Sequence, residues 1–302
     1  MTTLNIAWLG CGLMGAPMVR RLLGAGFPVT VWNRTASKAL ALQGDGARVA
    51  TTAAQAVASA DLVFTMLEHG GVVEQVLFDG PSAACAGLRA GALVIDMSSI
   101  LPRQAQDHAS RLTARGVAYL DAPVSGGTLG AEAGTLAIMA GGSLADVERA
   151  APAFAVLGRV THVGPHGAGQ LAKLANQMIV GISIGAVAEA LLLAQRGGAD
   201  MAQVRQALRG GFAESRVLEV HGQRMVDGDF AKRGSLAIQL KDMRNALATA
   251  AELGLQTPVT ALLERLYAAA AEHGFAELDQ SGLFRELERL NAPLQTGAPD
   301  IN

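Results

Sequence analysis

An apolar run, Leu4–Leu9, breaks off at Gly10-Cys11-Gly12-Leu13-Met14-Gly15, and an amphipathic stretch, Leu13–Leu23, follows at once. A strand that enters a glycine-spaced turn and leaves as a helix needs a parallel neighbour reached by crossover. Val29–Trp32 is placed to be that neighbour. In such a turn Gly10 permits the reversal, Gly12 lets the backbone approach a pyrophosphate, and Gly15 lets helix and strand pack closely. The helix N-terminus then presents N–H groups and partial positive charge to the phosphates. The same glycines could form a turn without a ligand. The strand before them and the helix after them favour the dinucleotide reading, with Cys11, Leu13 and Met14 as the intervening contact residues.

The same alternation continues through the first half. Asp61–Leu67, Leu93–Met97 and Val117–Leu120 read as strands, with helices at Thr52–Ala58 and Pro102–Arg115 between them. This spacing predicts a parallel sheet covered on both faces. Leu136–Ala140 and Val160–Val163, either side of a helix at Ser143–Leu157, extend it. After Gly164 the pattern becomes helical: Leu171–Arg196, Met201–Arg209, Glu214–Val226, Ser235–Glu252, Thr257–Glu272 and Gly282–Leu290. The expected organisation is an α/β Rossmann-type domain over residues 1–165, an all-α domain over 166–295, and a flexible tail over 296–302.

The end of the second strand selects the cofactor. A binder of NAD usually carries a carboxylate there for the ribose 2′-hydroxyl. This chain has Asn33-Arg34-Thr35, where Arg34 can pair with a 2′-phosphate and Asn33 and Thr35 can donate to it. NADP(H) is therefore the expected cofactor. NAD(H) is the alternative if Arg34 merely stacks on adenine.

Composition removes several classes. The net charge is −2, with no basic block to meet a phosphate backbone, which argues against nucleic acid. Cys11 and Cys85 form neither a disulfide framework nor a zinc pattern. His162 and His166 lie in a Gly/Pro segment without a carboxylate partner, so no metal is expected. Leu171–Ala194 is apolar, yet it carries Lys173, Asn176, Gln177 and Glu189, which suits a buried central helix better than a bilayer span. No leader is recognised at the N-terminus, and a cytoplasmic location is expected.

The segment Leu9–Thr35 resembles the N-terminus of the β-hydroxyacid dehydrogenases, and three later segments resemble that family in the same order. These are Asp121-Ala-Pro-Val-Ser-Gly-Gly127, Gly167-Ala-Gly-Gln-Leu-Ala-Lys173-Leu-Ala-Asn176-Gln177 and Leu240-Lys241-Asp242. The resemblance implies a 6-phosphogluconate dehydrogenase-like fold and hydride exchange with a small carboxylated substrate. By resemblance, Ser125, Gly126 and Gly127 bind the carboxylate and Lys173 is the acid/base. Asn176 and Gln177 supply the nearby amide, Met66 and Leu67 line the cofactor path, Ser99 stands on its nicotinamide side, and Lys241 closes over it.

The residues themselves agree, with alternatives. Ser-Gly-Gly offers a hydroxyl and open backbone N–H groups for an anion, or forms an ordinary polar turn. Lys173 shares a helix face with Asn176 and Gln177, as a proton donor or as a snorkelling surface lysine. The Lys-Leu-Ala-Asn-Gln form resembles tartronate semialdehyde reductases, the leading expectation. Trp-Asn-Arg-Thr resembles the glyoxylate/succinic semialdehyde reductases, and 3-hydroxyisobutyrate is a further candidate substrate. Gly234 replaces a phenylalanine common in the family, so the pocket's apolar wall is open to question. An imine reductase or a non-catalytic cofactor-binding module are the competing classes, and the retained Lys173 opposes both. A homodimer or homotetramer sharing the long helix that begins near Ala168 is expected.

Overall fold

The computed structural model describes residues 4–292. The chain divides into two compact units, Met1–Asn176 and Gln177–Asn302. The predicted tail, 296–302, lies outside the described residues.

The first unit is built on nine strands: β1 (Ile6–Leu9), β2 (Val29–Trp32), β3 (Arg48–Val49), β4 (Leu62–Thr65), β5 (Leu93–Asp96), β6 (Ala118–Asp121), β7 (Val124–Ser125), β8 (Leu136–Gly141) and β9 (Gly158–Gly164). Its helices are α1 (Gly15–Gly24), α2 (Ala36–Leu40), α3 (Ala53–Val57), α4 (Gly70–Phe78), α5 (Ala84–Gly87), α6 (Pro102–Thr113), α7 (Gly127–Ala133) and α8 (Leu144–Leu157). The strands run in the order β3-β2-β1-β4-β5-β6-β8-β7, with β9 beside β8. From β3 to β6 every pairing is parallel. This is the doubly wound order, in which loops after the strands gather at one edge of the sheet.

Strand alternation explains the two covered faces. Ile6 and Trp8 point into one core with Met18 and Leu22 of α1, whereas Ala7 and Leu9 point into the other with Val57 and Ala105. The parallel sheet expected from sequence ends at β6. β8 lies antiparallel to both β6 and β7: it is reached from β7 through 126–135, which holds only the short helix α7, too little chain for a parallel crossover. The two-residue strands β3 and β7 and the helix α4 carry too little pattern to be read in advance.

The helices after Gly164 are α9 (Ala168–Arg196), α10 (Met201–Ala207), α11 (Arg216–Asp227), α12 (Leu236–Glu252), α13 (Pro258–Ala270) and α14 (Leu283–Leu290). The opening turns of α9 belong to the first unit and the remainder to the second. Ile184, Leu191, Met243, Tyr267 and Phe284 centre the second unit's core. Asp279 braces it, accepting hydrogen bonds from Arg224 (2.8 Å) and from the Ser281 hydroxyl (2.7 Å). Among the described residues α9 alone is long and apolar enough to cross a membrane, and only 39% of its most apolar stretch is buried. It is thus less enclosed than a core helix: Ile179 is 67% and Leu193 76% exposed.

Candidate active site

The glycine turn closes on itself except where a ligand would lie. Gly10 has φ +108°, and a Cβ there would overlap the carbonyl oxygen of Met66. A Cβ on Gly15 would overlap the carbonyl oxygen of Gly10, which also accepts from the Trp8 indole at 3.0 Å. A Cβ on Gly12 would meet no heavy atom within 4 Å. No side chain caps the N-terminus of α1 at Met14; the Ala16 N–H donates to the Gly12 carbonyl oxygen (3.0 Å), and the positive helix end above the turn suits a phosphate. These residues fit a dinucleotide. A groove of about 700 Å3 flanks the turn, lined by Cys11, Gly12, Leu13, Arg20, Arg21 and Lys38 among others. Burial pushes the Cys11 thiol up to about 12, so it fills space rather than reacts.

Asn33 ties this turn to the end of β2. Its Oδ1 accepts from the Cys11 N–H at 2.9 Å, and its Nδ2 donates to the Thr35 carbonyl at 3.0 Å. The amide therefore shapes the loop that presents Arg34. Arg34 and Thr35 are exposed.

The loops after β4 and β5 are fixed to each other. The Leu67 N–H donates to the Ser98 hydroxyl at 2.9 Å. Asp96, wholly buried, accepts from the Ser98 N–H (2.9 Å) and from the Thr65 hydroxyl (2.7 Å). Burial raises the Asp96 carboxyl above its ordinary range, and those hydrogen bonds oppose the shift. Met66, Leu67 and Ser99 are half-buried along this edge.

Beyond β6 the chain forms Ser125-Gly126-Gly127. Ser125 is half-buried and both glycines are exposed, with Gly126 at φ +140°. Lys173, on the first turns of α9, donates from Nζ to the carbonyl oxygen of Val124 at 2.9 Å. The ammonium is thereby held beside the Ser-Gly-Gly loop. Sequence reasoning missed the group that brings α9 to this edge. The Asp121 carboxylate accepts from Gly167 N–H (2.8 Å) and Gln170 N–H (2.9 Å), a charged cap on the helix start. A carboxylate ending an otherwise apolar strand was the available signal.

In the second unit Gln177 is buried, and Nε2 donates to Gln239 Oε1 (3.1 Å) and Asp242 Oδ2 (2.8 Å). Asp242 also pairs with Lys241 Nζ at 3.1 Å. The Gln177 amide nitrogen is thus committed to a polar chain between α9 and α12. Asn176 is half-buried on α9.

Glu74, Asp107 and His108 bring their ligand atoms within 4.8 Å of one another. The Arg111 guanidinium already bonds Glu74 (2.6 Å) and Asp107 (3.1 Å), so the cluster is an ion-pair network. His162 and His166 each place Nε2 on a backbone carbonyl oxygen, of Gly142 and Tyr119.

Residues 5–164 match the model of the NAD binding domain of 6-phosphogluconate dehydrogenase. Residues 167–287 match that of the NAD-binding domain of NADP-dependent 3-hydroxyisobutyrate dehydrogenase. The 2-hydroxy-3-oxopropionate reductase of Escherichia coli (strain K12) is 43% identical over 94% of this chain and 97% of its own length. The 3-hydroxyisobutyrate dehydrogenase of Mycobacterium tuberculosis, solved with L-serine, superposes with a TM-score of 0.86 at 33% identity, covering 95% of this chain and 99% of that one. Psf3 in complex with NADP+ and 2-OPP gives 0.87 at 25% identity, covering 93% and 99%. A Rossmann sheet with an open glycine turn, joined to a helical unit, defines a nicotinamide-dependent oxidoreductase. More narrowly, the chain belongs to the β-hydroxyacid dehydrogenase family.

Proposed function

We propose that the protein reduces a short carboxylated aldehyde to its hydroxy acid with NADPH, and that 2-hydroxy-3-oxopropionate (tartronate semialdehyde) is the leading substrate. The observation that carries this reading is the Lys173–Val124 hydrogen bond, which sets an ammonium beside Ser125-Gly126-Gly127. Ser125 Oγ and the N–H groups of Gly126 and Gly127 hold the carboxylate and so orient the carbonyl. Lys173 Nζ gives a proton to the aldehyde oxygen, and takes it back in the oxidising direction. When bound, the cofactor supplies or accepts the hydride. Gly10–Gly15 cradles its pyrophosphate, and Met66, Leu67 and Ser99 border its path. Asn176 supplies the amide beside the substrate, whereas the Gln177 amide nitrogen is taken up by Gln239 and Asp242.

The 43% identity to the Escherichia coli reductase favours tartronate semialdehyde over glyoxylate, succinic semialdehyde or 3-hydroxyisobutyrate. Arg34 favours NADP(H) over NAD(H). The exposed apolar side of α9, with Ile179 and Leu193, favours a homodimer or homotetramer of a cytoplasmic enzyme, in which a second copy covers it. A panel of these four substrates with NADPH and NADH tests the proposal. Tartronate semialdehyde with NADPH is expected to give the highest kcat/KM. Preference for another substrate by about tenfold or more overturns the substrate assignment.

A further inference from the structure

Gln170 is fully buried, which is unusual for an amide, and both hydrogen bonds of its side chain bear on the site. Nε2 donates to the Ser98 carbonyl oxygen at 2.8 Å, and Oε1 accepts from the Ile100 N–H at 3.1 Å. Its side chain therefore grips both neighbours of Ser99. Its own N–H is held by Asp121, and Lys173 follows three residues later, on the same side of α9. Ser98 is in turn bonded to Leu67 N–H through its hydroxyl. An unbroken set of hydrogen bonds thus runs from the loop after β4, through the loop after β5, to the helix that carries the amine.

We propose that Gln170 is a positioning residue: its amide fixes the separation between the Ser98–Ile100 loop and Lys173 Nζ, and so the register of proton donor against hydride path. This rests on the functional reading above. An apolar side chain of the same length would fill the space and hold neither loop group, leaving α9 free to shift relative to Ser99. Small displacements at a reacting centre are costly because proton and hydride must be delivered to adjacent atoms of one carbonyl. The Asp121 cap alone leaves this register loose, since it fixes the start of α9 to β6 and not to the loop after β5.

The test compares Gln170→Met with the parent, using tartronate semialdehyde and NADPH carrying deuterium at the transferred position. Thermal unfolding and NADPH affinity are measured alongside. The expected result is a kcat lower by about ten- to a hundredfold, with a larger deuterium isotope effect. KM and NADPH affinity are expected to stay within about threefold of the parent. Gln170→Asn, which keeps an amide on a shorter stem, is expected to fall between the two, and it carries the same test if Gln170→Met does not fold. A kcat within about twofold of the parent, or a loss seen only in NADPH affinity, overturns the proposal. A parent that turns over no carboxylated aldehyde overturns the functional reading and this one together; active variants beside an active parent overturn this one alone.

Discussion

Lys173 and Val124 meet through a 2.9 Å hydrogen bond from Nζ to a backbone carbonyl, although they lie 49 residues apart. Val124 immediately precedes Ser125, so the bond couples the amine to the loop of open N–H groups. A helix residue and a turn that have no local relation are thereby assembled into one polar centre, with Asp121 holding the helix start from below.

The glycine turn makes a prediction that separates folding from binding. Gly10→Ala and Gly15→Ala place a methyl on a backbone carbonyl oxygen and are expected to destabilise the protein by about 1–3 kcal/mol or prevent folding. Gly12→Ala meets nothing in the protein. Its melting temperature is expected to stay within about 2 °C of the parent, while NADP+ affinity falls by about tenfold or more. Calorimetric melting and cofactor titration of the three variants check this. A Gly12→Ala protein that binds normally would contradict the cradle.

Arg34 is the cofactor-selecting group. Arg34→Ala is expected to weaken NADPH by about tenfold or more, the loss of a hydrogen-bonded charge pair, and to leave NADH within about threefold. Steady-state KM values for both cofactors decide it. Equal losses for both would assign Arg34 to adenine stacking.

Asp121 gives a pH signature. Burial raises its carboxyl to about 6, against the N–H bonds from Gly167 and Gln170, while the unfolded chain titrates near 3.9. Between those values the folded protein binds more protons than the unfolded one. Its contribution to stability therefore falls as pH rises from about 4 to about 6, by at most about 1.4 kcal/mol per pH unit, and is level above. Asp121→Asn does not titrate, and it turns an amide NH2 toward one of the two N–H groups. In urea unfolding the parent's stability margin over this variant is expected to narrow across that range and then hold constant. A margin independent of pH would contradict the assignment.

What could be read from the sequence was local. Gly10–Gly15 declares itself because strand, turn and helix are contiguous, and the helices after Gly164 follow from apolar spacing and from breaks such as Gly197-Gly198 and Gly254. The clamp at the site was not legible. Asp121 reaches 46 and 49 residues ahead, and Gln170 reaches back 70 and 72. No periodicity marks a polar residue as buried and satisfied, since its partners are backbone groups, whose spacing is the same in every sequence. Which side of α9 stays open was not legible either, because an apolar helix reads alike whether it is enclosed all round or, as at Ile179 and Leu193, exposed on one side.

The most direct test is the turnover of Lys173→Met with tartronate semialdehyde and NADPH. Its kcat is expected to fall by about 10²- to 10⁴-fold, with NADPH affinity nearly unchanged. A kcat within about threefold of the parent would remove Lys173 from the proton step and contradict the site proposed here.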